Sequence, residues 1–221
     1  NVGCNYTNTM NGTSSAAPVT SGVVALMLEA NPSLTWRDVK HILATTAEKV
    51  DATNPGVTFT NQLSGRTFSQ AEQPWITNAA GRSFHNWYGF GLIDAGAAVT
   101  AARTYAYGSL GTFTDSGWVT SNANLAIAIP DEQPTGATHG LSVPAAIVVE
   151  AVQVNVMVTH TYWGDLAFEL TSPSGTRSVM FNAKNGFDAL NGQGVLHLSS
   201  NAFYGESANG TWTLKLVDTG P

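Results

Sequence analysis

Hydrophobic and polar positions follow two different periods along this chain, and the change falls near residue 107. Residues 14–29 are apolar on most faces, which predicts a buried helix, with Pro18 in its first turn where a missing N–H costs little. Asn31-Pro32-Ser33 stops that helix. Thr35, followed three residues later by Asp38, predicts a capping box opening a helix over 35–47 that carries Val39, Ile42 and Leu43. Residues 51–87 are rich in Thr, Asn, Gly, Ser and Gln with no sustained period, which predicts a long irregular excursion on the surface. Order resumes at 88–94, where Asp94 is the expected N-cap of a small-residue helix running to about residue 105.

From Gly108 onward the period becomes 2. Residues 148–160 alternate apolar and polar positions and predict a long strand with one buried face. Shorter strands are expected at 166–170, 178–181, 195–198 and 212–217, separated by turn clusters such as Ser172-Pro173-Ser174-Gly175. Several short strands with regular punctuation predict an antiparallel β-sandwich of jelly-roll type. The chain therefore divides, as a sequence, into a mixed part over 1–107 and an all-β part over 108–221.

Composition narrows the function. Of 221 residues, 43% are hydrophobic and 11% charged, enough apolar surface to build a sizeable core. Nine Lys and Arg stand against fifteen Asp and Glu, and the basic residues do not cluster. Binding to nucleic acid by counterion release is therefore not expected. No apolar run approaches the roughly 18 residues that span a bilayer, so no membrane association is expected either. Cys4 is the single cysteine and cannot form a disulfide within the chain.

The chemically informative stretch is Asn11-Gly12-Thr13-Ser14-Ser15-Ala16-Ala17-Pro18, which sets a serine where a glycine-bearing loop turns into an apolar helix. A helix N-terminus offers unpaired N–H groups and partial positive charge, so the Ser14 amide can hold a developing oxyanion. Gly12 lets a substrate backbone approach closely. The plainer alternative makes Thr13 an N-cap and Ser14 and Ser15 ordinary first-turn residues.

Gly12-Thr13-Ser14-x-Ala16-x-Pro18 resembles the nucleophile segment of the subtilisin-like serine proteases. Residues 26–38 and Tyr88-Gly89-Phe90-Gly91-Leu92-Ile93-Asp94-Ala95 are similar to the kexin and furin branch of that family. In the second half, Glu150-Ala151-Val152-Gln153, His160-Thr161, Gly164-Asp165-Leu166, Leu170 to Thr176, Gly205-Glu206 and Gly210 to Leu214 resemble the P domain that follows the catalytic domain in proprotein convertases and bacterial kexin-like proteases. The resemblance covers nearly the whole chain apart from about 51–86.

The resemblance implies the C-terminal, helical part of an α/β subtilase catalytic domain over 1–107, then a jelly-roll P domain over 108–221 that is expected to lack its last strand. It implies that Ser14 is the nucleophile, that the Ser14 N–H belongs to the oxyanion hole, and that Gly12 and Thr13 bind substrate. The histidine base, the orienting aspartate and the oxyanion asparagine are expected from a segment upstream, because the thirteen residues before Ser14 hold neither His nor Asp. His41, His85, His139, His160 and His197 all follow Ser14, against the family's order. Cys4 is expected to bridge to that upstream segment. Calcium is expected in the whole enzyme, mostly through residues outside this chain; Asp115, Asp165, Asp188, Glu206 and Asp218 show no EF-hand spacing, although Asp165 and Glu206 match family positions. The implied activity is that of a secreted, periplasmic or extracellular serine endopeptidase acting on polypeptides, cleaving after basic residues by analogy with kexin. Its expected partners are the polypeptide substrate and the upstream catalytic segment. The alternative is a non-catalytic binding or stabilising module, inactive on its own.

Overall fold

The computed structural model describes residues 10–121 and 125–220. They form two compact units, one made of the chain up to Glu48 together with Leu92–Phe113, the other of Lys49–Gly91 and the chain from Thr114 onward.

The first unit holds three helices, α1 (Thr13–Ala30), α2 (Trp36–Thr46) and α3 (Ala95–Thr104). Its core brings Val23 and Met27 of α1, Leu34, Ile42 of α2 and Ala98 and Ala102 of α3 together. The alanines let α3 lie close against its neighbours. The predicted capping box is present: Thr35 accepts from the Asp38 N–H at 3.3 Å, and Asp38 Oδ2 accepts from the Thr35 N–H at 2.8 Å. Asp94 caps α3 as expected, its Oδ1 accepting from the Ala97 N–H at 2.8 Å. Asn31 ends α1 and also closes α3, since its Nδ2 donates to the carbonyls of Ala102 and Tyr105 at 2.9 and 3.1 Å. Changing Thr35 to alanine removes half of the capping box, and urea unfolding is expected to report a loss of about 1 kcal/mol with an unchanged m-value.

Two expectations about α1 are corrected. Pro18 lies past the first turn, as the sixth helical residue, so it removes the donor that would otherwise meet the Ser14 carbonyl. The helix is also not buried on most faces: only Val23 and Met27 are covered, and Val19 and Leu26 are 69% and 50% exposed. An i, i+4 stripe is all that α3 can cover, whatever the hydropathy of the remaining faces.

The second unit is built on strands. In the stretch expected to be irregular, β1 (Val57–Thr60) and β2 (Thr67–Glu72) form an antiparallel hairpin, and β3 (Ile76–Thr77) pairs with β4 (Ser83–Phe84). After them come β5 (Ala137–Val143), β6 (Val152–His160), β7 (Leu166–Thr171), β8 (Arg177–Phe181), β9 (Gly192–Ser200) and β10 (Gly210–Asp218). One antiparallel sheet runs β5-β10-β7-β8, and β6 pairs with β9. Val156 and Val158 of β6 pack against Leu166 and Phe168 of β7 and Phe181 of β8, which makes the expected sandwich. The period-2 pattern of β6 is realised, with Gln153, Asn155, Met157 and Thr159 exposed between inward-facing valines. Phe203, fully buried, packs edge-on to Trp212 at 5.0 Å in a second core cluster. Phe59 and Phe68 of the β1–β2 hairpin join Ala167, Ala183 and Val217 in a third. Strand β5 was not expected from sequence, because Gly140 and its polar neighbours conceal the alternation of an edge strand.

Candidate active site

Gly12 is the N-cap of α1, at φ 98° and ψ 171°, a conformation that favours glycine, and it offers the helix no side-chain cap. Helical geometry therefore starts at Thr13, and the plainer alternative in which Thr13 serves as N-cap is not the arrangement adopted. The Ser15 N–H donates to the Gly12 carbonyl at 3.0 Å and the Ser15 hydroxyl to the Asn11 carbonyl at 3.2 Å. Ser15 is thus occupied in closing the turn. Gly12, Thr13 and Ser14 are all exposed, and no acidic side chain lies in the first turn to neutralise its amides. Among the described residues the turn has no side-chain cap, and it sets the exposed Ser14 hydroxyl at the positive end of an 18-residue helix.

A serine hydroxyl becomes a nucleophile only with a base in hydrogen-bond reach. Among the described residues no histidine fills that place. His41 lies on α2 against the Tyr105 ring at 5.8 Å. His85 is buried; burial pushes its pKa down, partly offset by the charge of Asp51, and its Nδ1 accepts from the Trp87 N–H at 3.1 Å. His139 sits on β5. His160 Nε2 is 3.0 Å from Asp218 Oδ2, and its Nδ1 accepts from the Tyr162 N–H. Burial raises the Asp218 pKa, with the Gly220 N–H and His160 opposing that rise. His197 Nδ1 meets Asn155 Oδ1 at 2.7 Å. Cys4 lies outside the described residues.

Of the carboxylates considered for calcium, Glu206 and Asp165 are held by partners within the chain. Glu206, 3% exposed, accepts from the Ser172 hydroxyl at 2.6 Å, the Ala79 N–H at 2.9 Å and the Thr176 hydroxyl. Asp165 is ion-paired with Lys184, Asp188 lies against Gly164, and Asp115 accepts from the Gly117 N–H at 2.8 Å. The described residues contain no group of three or more His, Cys, Asp or Glu that could hold a metal ion. Sequence reasoning singled out Glu206 but missed what holds it, since Ala79 is 127 positions away.

Two family models match the chain: the subtilase family over residues 1–91 and the proprotein convertase P-domain over residues 149–221. The chain belongs to the subtilase family of serine proteases, of the kind that carries a P domain. Among its relatives, the Aeromonas extracellular serine protease of Aeromonas sobria is 39% identical over 97% of this chain and 36% of its own length. Human proprotein convertase subtilisin/kexin type 5 is 33% identical over 96% of this chain and 11% of its own length. The crystal structure of the serine protease of Aeromonas sobria shares the fold with a TM-score of 0.83 at 33% identity, over 98% of this chain and 39% of that one. The chain thus spans little more than a third of these bacterial relatives. The subtilase match runs through 51–86, a stretch without the motifs that carry the resemblance elsewhere. No helix among the described residues is long and apolar enough to cross a membrane.

Proposed function

We propose that this chain carries the nucleophile of a secreted serine endopeptidase. Ser14 attacks the scissile carbonyl of a polypeptide, its own N–H stabilises the oxyanion, and Gly12 and Thr13 line the approach of the substrate backbone. The observation that supports this is the first turn of α1, an exposed Ser14 with no side-chain cap among the described residues, within a subtilase match over residues 1–91. The histidine, aspartate and oxyanion asparagine come from an upstream segment, which also supplies the calcium ligands and the partner of Cys4. The apolar side chains of Val19 and Leu26 left open on α1 suit packing against further protein. Residues 1–107 belong to the catalytic domain and 108–221 to the P domain, with cleavage after basic residues as in kexin.

A fluorophosphonate probe tests this. Reacted with the protease in which the upstream segment is present, it is expected to label the peptide containing Ser14; label on another serine overturns the assignment. The 221-residue chain alone is expected to stay unlabelled, since each histidine among the described residues is placed away from Ser14. The second reading, a non-catalytic stabilising module, rests on that missing base and is favoured if the longer protease also resists the probe.

A further inference from the structure

The loop that follows β4 closes around one histidine. The His85 N–H donates to the Gly89 carbonyl at 2.8 Å, and the Gly89 N–H donates to the His85 carbonyl at 2.7 Å. Gly89, at φ 59°, takes the left-handed conformation that lets these two residues pair across so short a loop. The His85 side chain serves the same loop, its Nδ1 accepting from the Trp87 N–H at 3.1 Å. His85 is 1% exposed and sits in an aromatic cluster, with ring centroids 4.8 Å from Tyr88, 5.4 Å from Trp75 and 5.9 Å from Trp87. The cluster lies where the chain enters and leaves the second unit, at Lys49 and Gly91. Trp75 ties to the entering segment, its Nε1 donating to the Val50 carbonyl at 3.0 Å, and the Tyr88 hydroxyl of the leaving segment donates to Asp51 Oδ2 at 3.3 Å.

These bonds fix the protonation state of the ring. An imidazole whose Nδ1 accepts a hydrogen bond carries its proton on Nε2. Nε2 is buried and has no hydrogen-bond partner among the described residues. A charged ring needs a second proton, on Nδ1, where it meets the Trp87 N–H donor to donor. Protonation thus removes the one hydrogen bond the ring makes and buries a positive charge with no acceptor for either N–H. Of the charged groups nearby, Asp51 favours the charged ring, yet burial outweighs it, and its Oδ2 already accepts from Asn54 Nδ2 at 2.7 Å as well as from Tyr88. Lys49 adds a second cation, 5.6 Å from the centroid of the Trp75 ring.

We propose that His85 is an acid-sensitive latch: neutral, it closes the 85–91 loop and fills the aromatic cluster, and protonated, it leaves the cluster and favours the open loop. Opening breaks the His85–Gly89 backbone pair and takes from Trp75 and Tyr88 the ring they pack on. The latch does not depend on the role assigned to Ser14. Because burial holds the His85 pKa below the usual histidine value, the closed loop has its full stability above about pH 6.5. It loses stability as the pH falls below that, and the loss levels off beneath the depressed pKa.

Amide hydrogen exchange of the full chain, followed by NMR between about pH 7.5 and about pH 5 and corrected for the intrinsic exchange rate, tests this. Protection of the Trp87 and Gly89 amides is expected to fall at least about threefold, and by no more than about tenfold per pH unit, since one proton is taken up. Amides of β6 and β9 are expected to keep theirs. The His85 ring is expected to titrate below about pH 6.5, with the fall in protection levelling off beneath the same midpoint. His85→Asn is expected to hold its protection across the range, because its Oδ1 stands near the place of Nδ1, can still accept from Trp87, and does not titrate. The match between ring midpoint and levelling serves if that variant does not fold. Unchanged protection in the wild type overturns the proposal, as does a fall retained in His85→Asn, or one that extends equally to β6 and β9. A His85 midpoint at or above about pH 6.5 overturns it too, and assigns an imidazolium accepted by the aromatic faces.

Discussion

Replacing Ser14 by alanine is expected to lower kcat of the protease that contains this chain by about six orders of magnitude, with little change in KM. In the proposed function the hydroxyl forms the bond to the substrate, so its loss would remove the covalent route and leave catalysis by oxyanion stabilisation and binding alone. The variant is expected to keep its fold. Ser14 is exposed, donates no hydrogen bond within the described residues, and lies where alanine is an equally good helix former. Unfolding should therefore differ from wild type by no more than about 0.5 kcal/mol. A Ser15→Ala variant is the control, since its hydroxyl serves the Asn11 carbonyl. Steady-state kinetics on a peptide amide settle the matter: loss of activity in Ser15→Ala with activity retained in Ser14→Ala would reverse the two roles.

Signals carried by neighbouring residues were legible in the sequence, and signals completed by distant ones were not. The Thr35–Asp38 capping box, the Asp94 cap and the alternation of β6 each lie within a few residues, and each was read correctly. Strand β2 escaped notice because two of its three inward positions are Gln70 and Glu72, so hydrophobic period 2 is absent although burial has period 2. The covering of α1 was overestimated for the opposite reason. Hydropathy states which faces would gain from burial, while burial requires a partner, and here α3 covers the Val23–Met27 stripe alone. At the candidate site, the loop-to-helix turn at Gly12-Thr13-Ser14 could be read because a helix N-terminus is a local device. Its proton acceptor is a tertiary property, and no spacing within this chain encodes it.

Glu206 is held by donors far apart in the sequence, and Glu206→Ala is expected to cost roughly 3 kcal/mol. The carboxylate gathers donors from three places: Ser172 at the end of the β7 region, Thr176 at the approach to β8, and the Ala79 N–H from the turn between β3 and β4. Truncation leaves the two buried hydroxyls without their acceptor, while the Ala79 N–H keeps a longer bond to Thr176 Oγ1 at 3.2 Å; each unsatisfied group costs about 1–3 kcal/mol, reduced where water enters. At roughly 2–4 °C per kcal/mol for a domain of this size, calorimetry should place the transition at least about 6 °C lower. Glu206→Gln keeps one acceptor oxygen and the shape, so its loss should be about half as large. Chelation separates this role from that of a calcium ligand, because a metal site would make wild-type protein in EDTA resemble the alanine variant. With all three donors supplied by the protein, EDTA is expected to leave the wild-type transition unmoved and the full difference between wild type and Glu206→Ala in place.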